Sequence, residues 1–229
     1  MKKDKAVKII QAALRKGRKT LSEYEAKQVL AAYDIPVTRE VLVKDKARLD
    51  AALGKIGFPL VMKGCSADIA HKTEKGLIHV DIRTVTEARK AFRDIMAGLE
   101  GFDGGALIQE MIKGRRELVM GLTRDPQFGP CVMFGLGGIF TEILRDVSFR
   151  RAPLTLRDAR EMMQDIKGRK ILDAVRGMEA ADADTLAQML INLGQIGLDF
   201  DSVMEIDLNP VILSGAKPVV VDALMVVAG

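Results

Sequence analysis

Three polar residues near the end of the chain, Asp207, Asn209 and Asp222, have the types and spacing of a cation site. The patterns of residues 203–213 and 218–223 predict two strands, and the intervening Ser-Gly-Ala-Lys is typical of a turn. If that turn closes an antiparallel hairpin, Asn209 lies opposite Asp222, with Cβ atoms about 5 Å apart. Asp207, two residues before Asn209, shares the same face. Because carboxylate and amide oxygens suit Mg²⁺, the hairpin predicts a magnesium site beside a nucleotide.

A histidine in a polar loop is the second candidate for chemistry. His71 lies within residues 65–76, a segment without an apolar period. A neutral imidazole is a nucleophile toward phosphorus, and its ordinary pKa of about 6.5 leaves much of it neutral at physiological pH. A phosphoryl-accepting histidine and an ordinary surface histidine both fit this pattern. The other histidine, His79, lies in an alternating strand and is expected to be structural, with its hydrogen bonds satisfied.

Lys63 is the third candidate, because it ends the apolar run 58–64, which predicts a buried strand. A lysine there is costly unless its ammonium group reaches either solvent or an anion such as a phosphate. Both alternatives remain open. Glu110 lies at the end of a predicted strand and fits a hinge, and Glu117 opens the next strand. Both glutamates also fit ordinary surface carboxylates.

The glycine-rich segment Gly135-Leu136-Gly137-Gly138 is not a dinucleotide-binding motif. It lacks the third glycine and the following helix that such a motif requires, and the chain contains no P-loop. A Rossmann nucleotide site is therefore excluded. The glycines still allow the backbone to approach an anion or a partner loop closely.

The elements that must position these residues alternate between helix and strand. Capping-box patterns at 20–23 and 84–87 each predict the start of a helix. Strands are predicted at 37–43, 58–64, 77–82, 106–112, 117–123, 129–134 and 140–149, and further helices at 47–57 and within 156–197. Short turns join several of the strand pairs, so the order favours two α+β lobes over a doubly wound parallel sheet.

Composition indicates a globular protein of 229 residues, with 48% hydrophobic and 29% charged residues. No apolar run is long enough for a membrane span, and no signal peptide is visible. Cys65 and Cys131 cannot form a disulfide framework, so the cytoplasm is the expected compartment. Residues 1–19 predict a basic amphipathic helix. It either binds RNA or another anionic surface, or docks on a neighbouring element with its basic face in solvent.

Together these features resemble the ATP-grasp fold, and in particular the β subunits of the ADP-forming acyl-CoA synthetases, relatives of succinyl-CoA synthetase. The resemblance extends from Leu21 to Val227. Its most specific stretches are residues 21–27, the His71 loop, residues 135–149, and Asp207-Leu208-Asn209-Pro210 with Asp222. The resemblance implies two α+β lobes with the nucleotide between them. The predicted divisions are the N-terminal helix 1–19, an N-terminal lobe 20–108 and a C-terminal lobe 109–229.

The resemblance also implies nucleotide-binding roles for individual residues. Asn209 and Asp222 match the positions that hold Mg²⁺ against the phosphates of ATP or ADP, and Lys63 matches a lysine that contacts those phosphates. The other matched positions are the inter-lobe linker Glu110, Met111 and Ile112, whose backbone reads adenine, and the nucleotide-pocket acid Glu117.

By the same resemblance, His71 is a phosphohistidine that carries a phosphoryl group to ADP. Asp207 matches an acidic position near the phosphohistidine, although succinyl-CoA synthetase has glutamate there. The reaction implied is acyl-CoA + ADP + phosphate ⇌ carboxylate + ATP + CoA. Because the chain lacks a Rossmann-type CoA-binding unit, a CoA-binding α subunit is expected, in an assembly of two α and two β chains. Two alternatives remain: a stand-alone ATP-grasp carboxylate–amine ligase, and an ATP-binding regulatory protein without catalytic activity.

Overall fold

The structure, a computed structural model, describes residues 2–68, 76–138, 146–175 and 177–228, and the chain divides into two compact units. The smaller unit comprises Ser22–Tyr24 and Thr38–Met111, and the larger comprises the segments up to Leu21, Glu25–Val37 and from Ile112 onward. Each unit contains helices and an antiparallel sheet. The predicted α+β fold is confirmed.

The described helices are α1 (Lys2–Arg15), α2 (Glu23–Ala32), α3 (Leu49–Ile56), α4 (Val85–Gly98), α5 (Leu156–Asp165) and α6 (Ala183–Asp199). The described strands are β1 (Glu40–Val43), β2 (Leu60–Ser66), β3 (Ile78–Ile82), β4 (Gly104–Glu110), β5 (Glu117–Asp125), β6 (Gly129–Leu136), β7 (Val147–Arg151), β8 (Val203–Ser214), β9 (Lys217–Val220) and β10 (Leu224–Val227). Short 3₁₀ helices span Lys46–Arg48 and Arg169–Leu172.

The smaller unit is a four-stranded antiparallel sheet in the order β1-β4-β2-β3, with α3 and α4 packed against it. The predicted capping box starts α4: the Thr84 hydroxyl accepts from the Glu87 N–H, and the Glu87 carboxylate accepts from the Thr84 N–H. Apolar side chains from both helices and the sheet form one core. The central strand β2, which carries Lys63, is buried along its whole length.

Within the described residues, the larger unit contains a six-stranded sheet in the order β10-β8-β5-β6-β7, and β9 also pairs with β8. Strand β8 is the longest of the described strands, at 12 residues. It pairs with β5 along one edge, and with β9 and then β10 along the other. Because β8 pairs with all three neighbours, it fixes the alignment of the residues predicted to hold a cation.

Helix α1 packs on the larger unit. This agrees with one of the two alternatives for the basic N-terminal segment, docking on a neighbouring element. Ala6, Ile10 and Ala13 are at most 1% exposed and belong to the core of this unit, whereas Lys5 and Lys8 face solvent. The amphipathic pattern therefore reflects docking of an apolar stripe. In the part of the chain that is described, no helix has both the length and the apolar character needed to cross a membrane.

The grouping of α2 differs from the predicted lobes. The sequence places residues 20–108 in one lobe, whereas the structure groups Glu25–Val37 with the residues from 112 onward. The physical reason is burial: Val29, Leu30 and Ile35 lie in the core of the larger unit. A short helix with an apolar face carries no signal for which of two cores it will join.

Two strands differ from the elements that the sequence predicts. Strand β10 was not predicted as a separate element, yet it extends the six-stranded sheet beside β8. The predicted strand 140–149 overlaps β7, which is described from Val147, and residues 139–145 lie outside the described part of the chain.

Candidate functional site

The hairpin of β8 and β9 has the predicted register. Leu213 pairs with Pro218, and on the other side Asp207 pairs with Leu224 of β10. Counting inward from either pair places Asn209 opposite Asp222. The N–H of Val221 donates to the carbonyl of Pro210 at 3.0 Å, which keeps the two segments together between the strand pairs.

The polar residues of β8 lie on its outward face. Glu205 and Asn209 are exposed and Asp207 is half-buried, whereas the intervening Ile206 and Leu208 are at most 1% exposed. This alternation is the two-residue period of a strand with one face on a core. The sheet therefore presents two carboxylates and an amide on one face of the larger unit.

Several carboxylates lie close together on this face. Burial, and then the nearby carboxylates of Glu205 and Asp222, raise the pKa of Asp207 above its ordinary value. Neighbouring carboxylates disfavour each other's ionised forms, and a cation placed among them relieves the repulsion. One oxygen of Asp222 accepts the N–H of Ala223 at 2.8 Å, which holds that carboxylate in place.

These residues fit Mg²⁺ rather than a metal held entirely by protein. Among the described residues, no group of three or more His, Cys, Asp or Glu side chains has the arrangement of a metal centre. Mg²⁺ commonly takes one or two carboxylates and completes its shell with water and phosphate oxygens. The Asp222 carboxylate and the Asn209 amide oxygen form such an incomplete set, next to a carboxyl group whose charge a cation would stabilise.

The raised pKa of Asp207 predicts a pH-dependent stability difference. Because its pKa is higher in the folded state, Asp207 favours folding below the unfolded pKa, and this contribution is lost as pH rises through the folded pKa. Asp207→Asn should therefore raise the Tm at pH 7–8 and give a smaller gain near pH 4. Thermal unfolding from pH 4 to 8 measures this. Asp201→Asn, at a side chain that is 99% exposed, is the control, and a gain for Asp207→Asn independent of pH would contradict the argument.

Lys63 takes an anionic partner within its own unit. Its Nζ lies 2.8 Å from Oε1 of Glu23, with side chains only 5% and 0% exposed. Of the two alternatives, an ammonium that reaches solvent is therefore wrong, and the anion present is a carboxylate. The sequence offered no signal for this partner, since 40 residues separate the pair.

The residues predicted to form the linker lie where the two units meet along the chain. The boundary falls between Met111 and Ile112, which are both half-buried. The Glu110 carboxylate accepts two hydrogen bonds from Arg39, one from the backbone N–H and one from the side-chain Nε–H, each at 2.8 Å. Glu110 is thus an ion-paired residue in this structure, a partnership that the sequence did not indicate.

Glu117 opens β5 and lies against the glycine-rich segment. The N–H of Gly137 donates to the carbonyl of Glu117 at 2.8 Å, and the Glu117 side chain lies close to Gly138. Immediately before it, the buried Arg116 donates to four backbone carbonyls, those of Ile171, Asp173, Glu179 and Gly215. The sequence alone does not single out Arg116, because nothing in its local pattern distinguishes a buried, hydrogen-bonded arginine from a surface one.

Of the two histidines, only His79 lies in the described part of the chain. His71 lies outside the described residues, so its role stays a prediction. His79 lies in β3 opposite Met62, and its Nε2 is buried with no hydrogen-bond partner in the described ranges. The expectation that hydrogen bonds satisfy this imidazole is therefore wrong at Nε2.

Comparison with known proteins gives a match over almost the whole chain. The profile of the ATP-grasp domain family matches residues 12–227. The β subunit of ADP-forming acetate–CoA ligase I of Pyrococcus furiosus is 41% identical over 227 residues, which are 97% of this chain and 97% of that protein. The β subunit of ligase II of the same organism is 42% identical, over 99% of this chain and 100% of that one.

A solved structure extends the comparison to three dimensions. The dinucleotide-forming acetyl-coenzyme A synthetase 1 of Ca. Korarchaeum cryptofilum contains a chain 42% identical to this one, with a TM-score of 0.87, covering 97% of this chain and 100% of that chain. That protein was solved with coenzyme A and Mg-AMPPCP, with its phosphohistidine segment pointing towards the nucleotide binding site.

Proposed function

Because the chain belongs to the ATP-grasp family, together with the β subunits of the ADP-forming acetate–CoA ligases, we propose that it is the nucleotide-binding β subunit of an ADP-forming acyl-CoA ligase. The observation that carries the proposal is the similarity along the full length of such a subunit, at 41% identity over 97% of both chains. The reaction is acyl-CoA + ADP + phosphate ⇌ carboxylate + ATP + CoA.

In the larger unit, Asn209 and Asp222 are the proposed Mg²⁺ ligands. Their opposed positions on the hairpin and the raised pKa of the adjacent Asp207 support this assignment. When bound, Mg²⁺ supplies positive charge against the phosphate oxygens of ATP or ADP. The hairpin itself contributes rigidity, because Asn209 and Asp222 lie between two paired segments of the same sheet.

The remaining nucleotide contacts are proposed from the resemblance and the local geometry of each residue. Lys63 is the proposed phosphate contact, and its buried ammonium already binds an anionic oxygen, that of Glu23. The backbone at Met111 and Ile112, next to Glu110, is the proposed adenine contact. Glu117, a half-buried carboxylate held at the start of β5, is the proposed acid of the nucleotide pocket.

His71 is the proposed phosphoryl carrier, and Asp207 the residue that accompanies it near the nucleotide. In the direction of ATP synthesis, the P–N bond of phosphohistidine breaks and a P–O bond forms to the terminal phosphate oxygen of ADP, which regenerates the imidazole. Phosphoryl transfer depends on positioning and on stabilisation of charge. Asp207 would supply the positioning by accepting a hydrogen bond from the imidazole ring.

We propose that a second subunit supplies the CoA chemistry. We expect a CoA-binding α subunit in an assembly of two α and two β chains, because the relatives that match this chain over their full length are themselves β subunits. The identity of the acyl group would depend mainly on that α subunit.

Labelling of His71 tests the proposal. Incubation of the purified chain with γ-³²P-ATP and Mg²⁺, with and without an α subunit, should give a phosphoryl group that is stable to base and labile to acid. Peptide mapping should place the label on His71, and His71→Asn should abolish it, whereas His79→Asn provides the matched control and should retain it. Absence of label in the presence of an α subunit would reject the phosphohistidine function. A carboxylate–amine ligase would remain active in His71→Asn, and a regulatory protein would bind nucleotide without becoming labelled.

A further inference from the structure

The glycine-rich segment after β6 is bound directly to the start of β5. The N–H of Gly137 donates to the carbonyl of Glu117 at 2.8 Å. A Cβ at position 137 would lie 2.8 Å from the backbone carbon of Glu117 and equally close to two backbone atoms of Leu118. Real Cβ atoms do not approach backbone atoms so closely, so position 137 requires glycine for the two backbones to meet.

The next residue, Gly138, meets the side chain of Glu117. A Cβ at position 138 would lie 2.7 Å from Oε2 of Glu117, and the backbone there has a φ of +63°. The space beside Gly138 is therefore occupied by the carboxylate. A side chain at this position would add the strain of a left-handed conformation and displace that carboxylate.

Both flanks of this contact are anchored. On the glycine side, the N–H of Leu136 donates to the carbonyl of Asp146, whose buried carboxylate accepts the N–H groups of Lys167 at 2.7 Å and Gly168 at 2.6 Å. On the other side, Glu117 pairs with Ile212 in the sheet and directly follows the buried Arg116. Neither backbone can move away to relieve a clash without breaking these hydrogen bonds.

We propose that Gly137 and Gly138 are positioning residues that hold the backbone and carboxylate of Glu117 in the orientation used to bind the nucleotide. This inference rests on the proposed function, in which Glu117 is an acid of the nucleotide pocket. It is a role for the segment beyond the two sequence-based alternatives, an anion-binding loop and a contact with a partner loop. The glycines act through Glu117, because a binding carboxylate must be held by residues that restrict its own rotamers.

Gly138→Ala tests the proposal, with Gly129→Ala as the matched control. Gly129, the first residue of β6, also has a positive φ, of +75°, but a Cβ there would meet nothing within 4 Å. The strain of a left-handed backbone should lower the Tm of both variants, by about 2–8 °C. Only Gly138→Ala should weaken Mg·ADP binding, by about 10- to 100-fold, as expected when a binding group is displaced by about 1 Å.

Calorimetric titration with Mg·ADP gives the Kd. Thermal unfolding of each variant shows whether it is folded. A Kd for Gly138→Ala equal to that of the wild type would overturn the positioning role. So would an affinity loss in Gly129→Ala as large as that in Gly138→Ala, because the effect would then come from backbone strain alone.

A double-mutant cycle separates this inference from the function beneath it. If Gly138 acts through Glu117, adding Gly138→Ala to Glu117→Ala should cause no further loss of Mg·ADP affinity. Additive losses would show that Gly138 acts independently of Glu117 and would reject the positioning role. If Glu117→Ala itself leaves the Kd unchanged, the assignment of Glu117 to the nucleotide pocket fails, and the positioning role fails with it.

Discussion

Asp222→Asn and Asn209→Ala are each expected to reduce Mg²⁺-dependent phosphoryl transfer by about 100-fold or more, the size of the loss when one group that stabilises transition-state charge is removed. The reason is geometric, since the register of β8 with β9 and β10 places both residues opposite each other on one sheet face. Calorimetry should show the same loss without turnover: Mg·ADP should bind the variants more weakly, whereas ADP in EDTA should bind them and the wild type alike.

Glu205→Gln is the matched control for this prediction. Glu205 is an exposed carboxylate on the same strand and the same face, but it lies four residues from Asn209. Its removal should change Mg·ADP affinity by less than about 3-fold, the effect of a single surface charge. If Glu205→Gln and Asp222→Asn weaken binding equally, general negative potential explains the effect and the ligand assignment is wrong.

The hairpin could be predicted because its information is local. Turn residues at 214–217 fix where β8 ends and β9 begins, and alternation of apolar and polar residues then sets the register. Pairing of Leu213 with Pro218 confirms that register. Strand β10 escaped prediction because its four residues are too few to show a period after the preceding strand.

The contacts that hold the proposed site residues could not be predicted, because they join residues far apart in sequence. Glu23 and Lys63 are 40 residues apart. The N–H of Gly137 donates to the carbonyl of Glu117, the first residue of β5. The glycine pattern allowed a close approach of the backbone to another group, but it did not indicate which group the backbone approaches. Motif types can thus be recognised in one sequence, whereas their partners depend on the tertiary fold.

Lys63→Met is expected to destabilise the chain by about 3–5 kcal/mol, because it removes one partner of a buried ion pair while the carboxylate of Glu23 stays buried. Both side chains are at most 5% exposed, and their charged atoms are 2.8 Å apart. For a chain of this size the loss corresponds to roughly 6–20 °C in Tm. The exposed pair Lys44 and Asp103, with side chains 56% and 78% exposed, is the control, and Lys44→Met should cost less than about 1 kcal/mol.

The double variant Glu23→Gln/Lys63→Met then distinguishes a structural lysine from a nucleotide-binding one. With both charges removed, the stability should return to within about 1–2 kcal/mol of the wild type, because replacement of a whole buried ion pair is often close to neutral. Because this double variant is expected to be folded, calorimetry on it measures the role of Lys63 in binding separately from its role in stability. If Lys63 contacts phosphate, Mg·ADP binding should stay at least about 10-fold weaker than in the wild type, as for a lost charge-assisted hydrogen bond. Wild-type affinity in the double variant would instead show that Lys63 serves only to neutralise Glu23, and that the phosphates are bound by other residues.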